Sequence, residues 1–181
     1  VKSQASSIDD GREIKASSQF VLSGYNIAAL SNSIILKNSS DLPETDGRGF
    51  LDLQPEMIRI DDAIFVISAS YSDVVQVEVT QVGVDLHVRC SCGMAGTKLC
   101  KHGARVLYNL QDRKDLRVFF DRKTRDERIE VVARDYGLDN EPDLDKHFDL
   151  EYINRVLQIK PRDKDLIAVN AETISRIGNQ L

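Results

Sequence analysis

All three cysteines of this 181-residue chain fall within eleven residues, and a histidine follows two residues after the last of them. The four residues are Cys90, Cys92, Cys100 and His102, arranged as Cys-x-Cys, seven intervening residues and Cys-x-His. Thiolate and imidazole are ligands of tetrahedral zinc, and a Cys₃His set fills its four positions without water. We therefore predict a structural Zn²⁺ ion at this cluster, because catalytic zinc keeps one position open.

Two other interpretations of the cysteines are open: three unligated thiols, or a redox pair formed by Cys90 and Cys92. Buried free cysteines are usually scattered rather than clustered, and a redox pair gives the histidine no role. In a regular strand His87 faces away from Cys90, and His147 lies in an acidic segment without cysteines. We predict that neither of these two histidines is a ligand.

The segments beside the cluster predict a β-hairpin followed by a helix. Apolar and polar residues alternate over 75–80 and 84–90, which indicates two half-buried strands, and an apolar run at 63–67 indicates another. Apolar residues between about 101 and 111 recur on one helical face. The residues predicted to pack beneath the metal are Val77, Val79, Leu86, Val88, Val106, Leu107 and Leu110. The predicted fold class is α+β, with the hairpin and short helix inside a larger mixed domain.

We divide the chain into an N-terminal arm and mixed segment (1–62), the cysteine-containing unit (63–112) and a helical or mixed C-terminal region (113–181). In the last region, the sequence from Thr124 to Glu127 has a capping-box pattern that predicts a helix start, with Gly137 at its end. A second short helix is predicted between Asp143 and Asn154. The run 156–159 resembles a strand ended by Pro161.

The central unit resembles a SWIM-type zinc finger over about a fifth of the chain, from Val74 to Leu110. The resemblance is carried by Val88-Arg89-Cys90-Ser91-Cys92-Gly93 and Leu99-Cys100-Lys101-His102-Gly103-Ala104. It implies zinc at the four ligand positions and a role in binding DNA or another protein. Such fingers occur in Swi/Snf-type helicases, Mutator-type transposases and related proteins, and the whole arrangement resembles the N-terminal region of a bacterial Swi/Snf-type helicase.

The chain itself has neither a Gly-x-x-x-x-Gly-Lys-[Ser/Thr] phosphate loop nor an Asp-Glu-x-His box, so the motor of such a helicase would lie beyond Leu181 or in another chain. A start at Val1 fits a processed product or an excised fragment. We expect no enzymatic activity, because no catalytic constellation is specific here. With no signal peptide and no apolar run of about 18 residues, a cytoplasmic protein is expected, nucleoid-associated or nuclear if it binds DNA.

Charge is distributed unevenly in a chain whose net charge is −5. From Lys98 to Arg134 there are eleven Lys and Arg against six Asp and Glu, whereas from Asp135 to Asp165 nine acidic residues oppose five basic ones. The candidate phosphate-contacting residues are Lys98, Lys101, Arg105, Arg113, Lys114 and Arg117, which Arg122, Lys123 and Arg125 could extend. The first hypothesis is a nucleic-acid-binding module. The alternative is a protein-interaction adaptor, in which these charges are a solvated face.

Overall fold

The structure is a computed structural model, and it describes residues 18–40, 53–68, 74–94, 97–138, 140–169 and 173. The strands are β1 (Ser18–Leu22), β2 (Pro55–Arg59), β3 (Asp62–Ser68), β4 (Val74–Val82), β5 (Asp85–Cys90), β6 (Phe148–Ile153) and β7 (Val156–Pro161). The helices are α1 (Asn32–Asn38), α2 (Lys101–Asp112), α3 (Lys114–Arg117) and α4 (Arg122–Asp135), with a 3₁₀ turn at Leu144–Lys146. This architecture confirms the predicted α+β class.

Five strands form one antiparallel sheet in the order β1-β5-β4-β3-β2. The predicted hairpin is β4 and β5, in which Val79 lies opposite Val88 and Val77 opposite Cys90. Alternate side chains of both strands are buried, as the period-two pattern predicted. Val84, which the pattern placed on the buried face, lies instead in the turn between the strands and is exposed. That part of the prediction was wrong, because the turn ends the alternation one residue before β5.

Helix α2 covers the buried face of the sheet. Its apolar stripe contributes side chains that are fully buried against β4 and β5. All seven residues predicted to pack beneath the metal are buried: Val77, Val79, Leu86, Val88, Val106, Leu107 and Leu110. Helix and sheet therefore share one core, and the start of α2 is held close to the end of β5.

Helix α1 lies beside α2 and buries Ile35. Its start is capped by Ser31, whose hydroxyl accepts from the amide of Ile34. Where α1 ends, residues 38–40 pair with Leu99: the Leu99 amide donates to the Asn38 carbonyl (2.8 Å), and the Leu99 carbonyl accepts from the Ser40 amide (2.9 Å). This isolated parallel bridge fixes the segment just before α2.

Helix α4 begins at Arg122, because Asp121 and not the predicted capping box caps it. The buried Asp121 carboxylate accepts from the amides of Lys123 and Thr124 and pairs with Arg117 at 3.1 Å. This capping moves the start two residues before Thr124. The helix buries Ile129 and, as predicted, ends before Gly137.

The predicted helix over 143–154 was wrong: apart from the 3₁₀ turn, the segment forms β6, paired with β7. Phe148 is buried in a second apolar cluster with Ile129 and Ala133, and it meets the Tyr136 ring edge-on at 5.7 Å between centroids. Sheet pairing and packing against α4 therefore override local helix propensity. The strand predicted over 156–159 is confirmed and extends to Pro161.

The proposed division into three regions remains a prediction. The 62/63 boundary falls after the first residue of β3, and β3 pairs with β2 of the first region in the main sheet. Residues 1–17 of the predicted N-terminal arm and mixed segment (1–62) and nearly all of 170–181 lie outside the described residues. In the described part of the chain, no helix is long and apolar enough to cross a membrane.

We predict that Asp121→Ala lowers the free energy of unfolding by about 1–2 kcal/mol, because α4 loses its N-cap. Asp126→Ala, in which an exposed partner of Arg122 is removed, is the control and should cost less than about 0.5 kcal/mol. Burial opposes ionisation of Asp121, but hydrogen bonds from Thr124 and Arg117 outweigh it and lower the pKa. Its ionisation therefore stabilises the fold above a pH of about 4 and ceases to do so as pH falls through the lowered pKa.

Urea unfolding followed by circular dichroism at neutral and acidic pH measures both effects. Equal losses for the two variants at neutral pH would contradict the capping role. A difference between the variants that does not narrow under acid would contradict the pH dependence.

Candidate metal centre

The four predicted ligands come from two elements that meet at one end of the sheet. Cys90 is the last residue of β5, and Cys92 lies in the turn that follows. Cys100 is the N-cap residue of α2, and His102 lies in its first turn. The structure therefore brings together the two pairs that the sequence separates.

The ligand atoms of these four side chains all lie within 4.8 Å of one another. Cys90 Sγ and His102 Nδ1 are 3.9 Å apart. Tetrahedral zinc with bonds of about 2.3 Å to sulfur holds its ligands about 3.8 Å apart. The cluster thus has nearly the dimensions of a Cys₃His zinc site, and contraction of about 1 Å would complete it.

The histidine gives an independent indication of a ligand at this place. Its Nδ1 lies 3.9 Å from Cys90 Sγ, and its Nε2 is buried without a hydrogen-bond partner among the described residues. An unsatisfied buried polar atom costs about 1–3 kcal/mol. A cation coordinated by Nε2 would offset that cost, and one imidazole with three thiol sulfurs is a donor set that fits a metal such as zinc.

The thiols are coupled through hydrogen bonds. The Cys90 side chain lowers the pKa of Cys100 to about 5, against the effect of burial and with help from the Gly103 amide, whose N lies 3.4 Å from Sγ. The same contact with Cys100, together with burial, raises the pKa of Cys90. Adjacent thiolates repel each other, whereas a divalent ion deprotonates every thiol that it coordinates. The cluster is therefore chemically suited to a cation.

Two backbone features hold the Cys-x-Cys segment in place. The Ser91 amide donates to the Gln76 carbonyl and the Ser91 hydroxyl accepts from the Gln76 amide, both at 2.9 Å. Gly93 then turns the chain with a φ of 70°, a left-handed conformation that suits glycine. The turn directs the chain away from the strand while both sulfurs stay at the cluster.

The close approach of α2 to the sheet depends on Gly103. A Cβ at this position would lie 2.8 Å from Leu99 Cδ1 and 3.0 Å from Val88 Cγ1, and both neighbours are buried. Only glycine lets the first helical turn lie this close to β5. The sequence alone does not reveal this role of Gly103, because the contact with Val88 exists only once strand and helix pack together.

The six candidate phosphate-contacting residues do not form one group. Lys98, Lys101 and Arg105 lie at the start of α2, next to the cluster, and Lys114 lies beyond the far end of the helix. Arg113 makes a bidentate ion pair with Asp115, whose hydrogen bond raises the arginine pKa, and also donates to the Tyr152 hydroxyl.

The remaining basic candidates lie along α3 and α4. Arg117 pairs with Asp121, and Arg122 and Lys123 face acidic residues one turn further along α4. Arg125 donates to the carbonyls of Val118 and Phe119. Arg117 and Arg125 therefore contribute to the fold around residues 117–125, whereas Lys98, Lys101 and Arg105 have no ion-pair partner among the described residues.

Comparisons of the chain with protein-family models, curated proteins and solved structures find no match. The geometry of the Cys₃His cluster is accordingly the observation on which a functional interpretation rests.

We predict that the purified chain carries about one equivalent of zinc, and that Cys100→Ser reduces this below about a tenth of an equivalent, because serine is a poor ligand for this ion. His87→Ala is the control: its ring lies on the opposite sheet face, where Nδ1 is 2.7 Å from Gln19 Nε2, and zinc should be retained. Elemental analysis after gel filtration measures both. A chain that is folded yet contains no zinc would contradict the site.

We also predict that Gly103→Ala lowers the free energy of unfolding by about 1–3 kcal/mol, because the added methyl group overlaps Leu99 and Val88. Helix propensity alone would make this substitution favourable. Gly137→Ala is the control. Open space surrounds this position at a helix end, so a loss of stability in this variant would come from backbone strain and not from overlap. Denaturant unfolding of the zinc-loaded variants measures the loss, and increased stability of Gly103→Ala would refute the close approach.

Proposed function

We propose that this chain is a zinc-stabilised binding module that contacts the phosphate backbone of nucleic acid through the start of α2. The single observation that carries the proposal is the Cys₃His cluster with basic residues beside it. Lys98 and Lys101 are exposed, and Arg105 follows Lys101 by one helical turn. None of the three has an ion-pair partner within the described residues. Unpaired cations on a fixed scaffold favour contact with an anion.

The metal has a structural role in this proposal. Four protein ligands leave zinc no open position for water, so the ion would join the end of β5 to the start of α2 without taking part in a reaction. In small zinc sites the free energy of metal binding is also folding free energy. The zinc would thus fix where Lys98 and Lys101 stand, and we propose no enzymatic activity for the chain.

An association with a Swi/Snf-type motor is a further part of the proposal. It is supported by the resemblance of the Cys-x-Cys and Cys-x-His segments to SWIM-type fingers. In this arrangement the module would direct a motor in the same or another chain to its nucleic-acid substrate.

The test is charge reversal of Lys98, Lys101 and Arg105 to Glu in the zinc-loaded chain. Because each phosphate contact contributes electrostatically, we expect the triple variant to lose binding in a mobility-shift assay. The charge-matched control reverses Arg122, Lys123 and Arg128 on α4, where the first two already face acidic residues. Unchanged binding by the first variant, with its zinc retained, would remove this surface from the proposal.

A protein-interaction adaptor is the second candidate, and the acidic segment from Asp135 to Asp165 favours it. Basic and acidic regions of one chain offer two oppositely charged surfaces, of which the acidic one fits a basic protein. Affinity capture from nuclease-treated extract distinguishes the candidates. A partner retained after nucleic acid has been digested, together with no binding to purified DNA or RNA, would favour the adaptor.

A further inference from the structure

Two segments of this acidic protein contain no acidic residue at all. Residues 18–40 and 86–111 together hold none of the 29 Asp and Glu of the chain, although they hold five of its 24 Lys and Arg. The first segment comprises β1 and α1, and the second runs from the start of β5 nearly to the end of α2. The acidic residues therefore lie in the remaining parts of the chain.

The fold places these two segments side by side. Strand β1 pairs along the whole of β5 from Leu22 opposite Leu86 to Ser18 opposite Cys90, and α1 packs on α2. The backbone bridge to Leu99 joins the end of α1 to the residue between Lys98 and Cys100. Two acid-free segments that are far apart in sequence thus form one continuous part of the molecule.

This arrangement adds Lys37 to the basic residues at the start of α2. Lys37 is exposed, lies in the last turn of α1 and immediately precedes Asn38, whose carbonyl accepts from the Leu99 amide. The fifth basic residue, Arg89, lies on the outer sheet face and is paired with Glu78 at 2.9 Å. We call Lys37, Lys98, Lys101 and Arg105 the acid-free surface, because the two sequence segments that supply them, 18–40 and 86–111, hold no Asp or Glu.

The aromatic side chains of the two segments are not available beside this surface. Tyr108 is buried and Phe20 packs against the core. Tyr25 is exposed, but it lies near Asp85 at the first residue of β5, whereas Cys90 is at the last. Five residues of strand separate the two ends by about 17 Å. Single-strand binding proteins stack bases on aromatic side chains, which the described part of this surface does not offer.

We infer that the acid-free surface binds double-stranded nucleic acid through its phosphate backbone, with Lys37 as a contact supplied by α1. This inference rests on the proposed nucleic-acid function and adds the form of the ligand and one more residue. Contacts of Lys and Arg with phosphates carry no sequence information, so duplexes of different sequence should bind alike. Four phosphate contacts predict a slope of log affinity against log salt of about −3.6 for B-form DNA.

The experiment uses the zinc-loaded chain and a labelled DNA duplex of about 20 base pairs, with fluorescence anisotropy between about 50 and 200 mM salt. We expect Lys37→Gln to weaken binding about three- to tenfold and to make the salt slope less steep by about 0.9. Lys164→Gln is the matched control. It removes the same charge at a position after β7, and the hairpin of β7 packs at α3, beyond the far end of α2. Both the affinity and the salt slope should therefore be retained.

A structural effect of Lys37 is separated by thermal unfolding. Its charge lies at the C-terminal end of a seven-residue helix, where it can stabilise the helix slightly, but that role does not alter a salt slope. If Lys101→Gln makes the salt slope less steep but Lys37→Gln leaves it unchanged, the inference is overturned and the proposed function stands. Tighter binding to a single strand of the same sequence than to the duplex would also overturn the inference and leave the proposed function intact. No binding to duplex or single strand by the unsubstituted chain would overturn both.

Discussion

The close approach of α2 to the sheet at Gly103 is the contact on which the candidate metal centre depends. Two of the four candidate ligands belong to the strand side and two to the helix side, and their ligand atoms lie within 4.8 Å of one another. Burial of Val106 and Leu107 supplies the attraction between helix and sheet, while the missing Cβ permits the short distance. Packing of the core thus organises the cluster before any ion is considered.

The hydrogen-bonded bridge to Leu99 is a second tertiary contact, and it positions charged side chains beside the cluster. It holds the end of α1 against the residue that precedes Cys100, so that the candidate metal ligands and the basic residues at the start of α2 share one backbone framework. By contrast, Arg113 and Arg117 form ion pairs with neighbouring carboxylates. Identical side-chain types therefore differ in role according to whether the fold gives them an acidic neighbour.

Much of the central unit could be predicted from sequence, because its signals are local. The alternation of apolar and polar residues predicted β4 and β5, and the apolar stripe predicted α2. The spacing of the cysteines and the histidine predicted the cluster. The predictions of secondary structure were wrong where a contact with a distant or competing residue decides the local structure. Burial and pairing with Arg117 made Asp121 the cap of α4, and pairing with β7 made 148–153 a strand. The approach of Gly103 and the position of Lys37 depend on tertiary contacts that no local pattern contains.

The position of β5 between β1 and β4 also has a consequence for the order of folding. Its pairing with β4 and the seven-residue link between the ligand pairs close small loops, whereas its pairing with β1 joins residues 64 to 72 positions apart. Closing a longer loop costs more chain entropy, and distant pairings form more slowly. We therefore expect the hairpin and the start of α2 to assemble as an early nucleus. Strand β1 would complete the edge last, and its amides would exchange with solvent before those of β4.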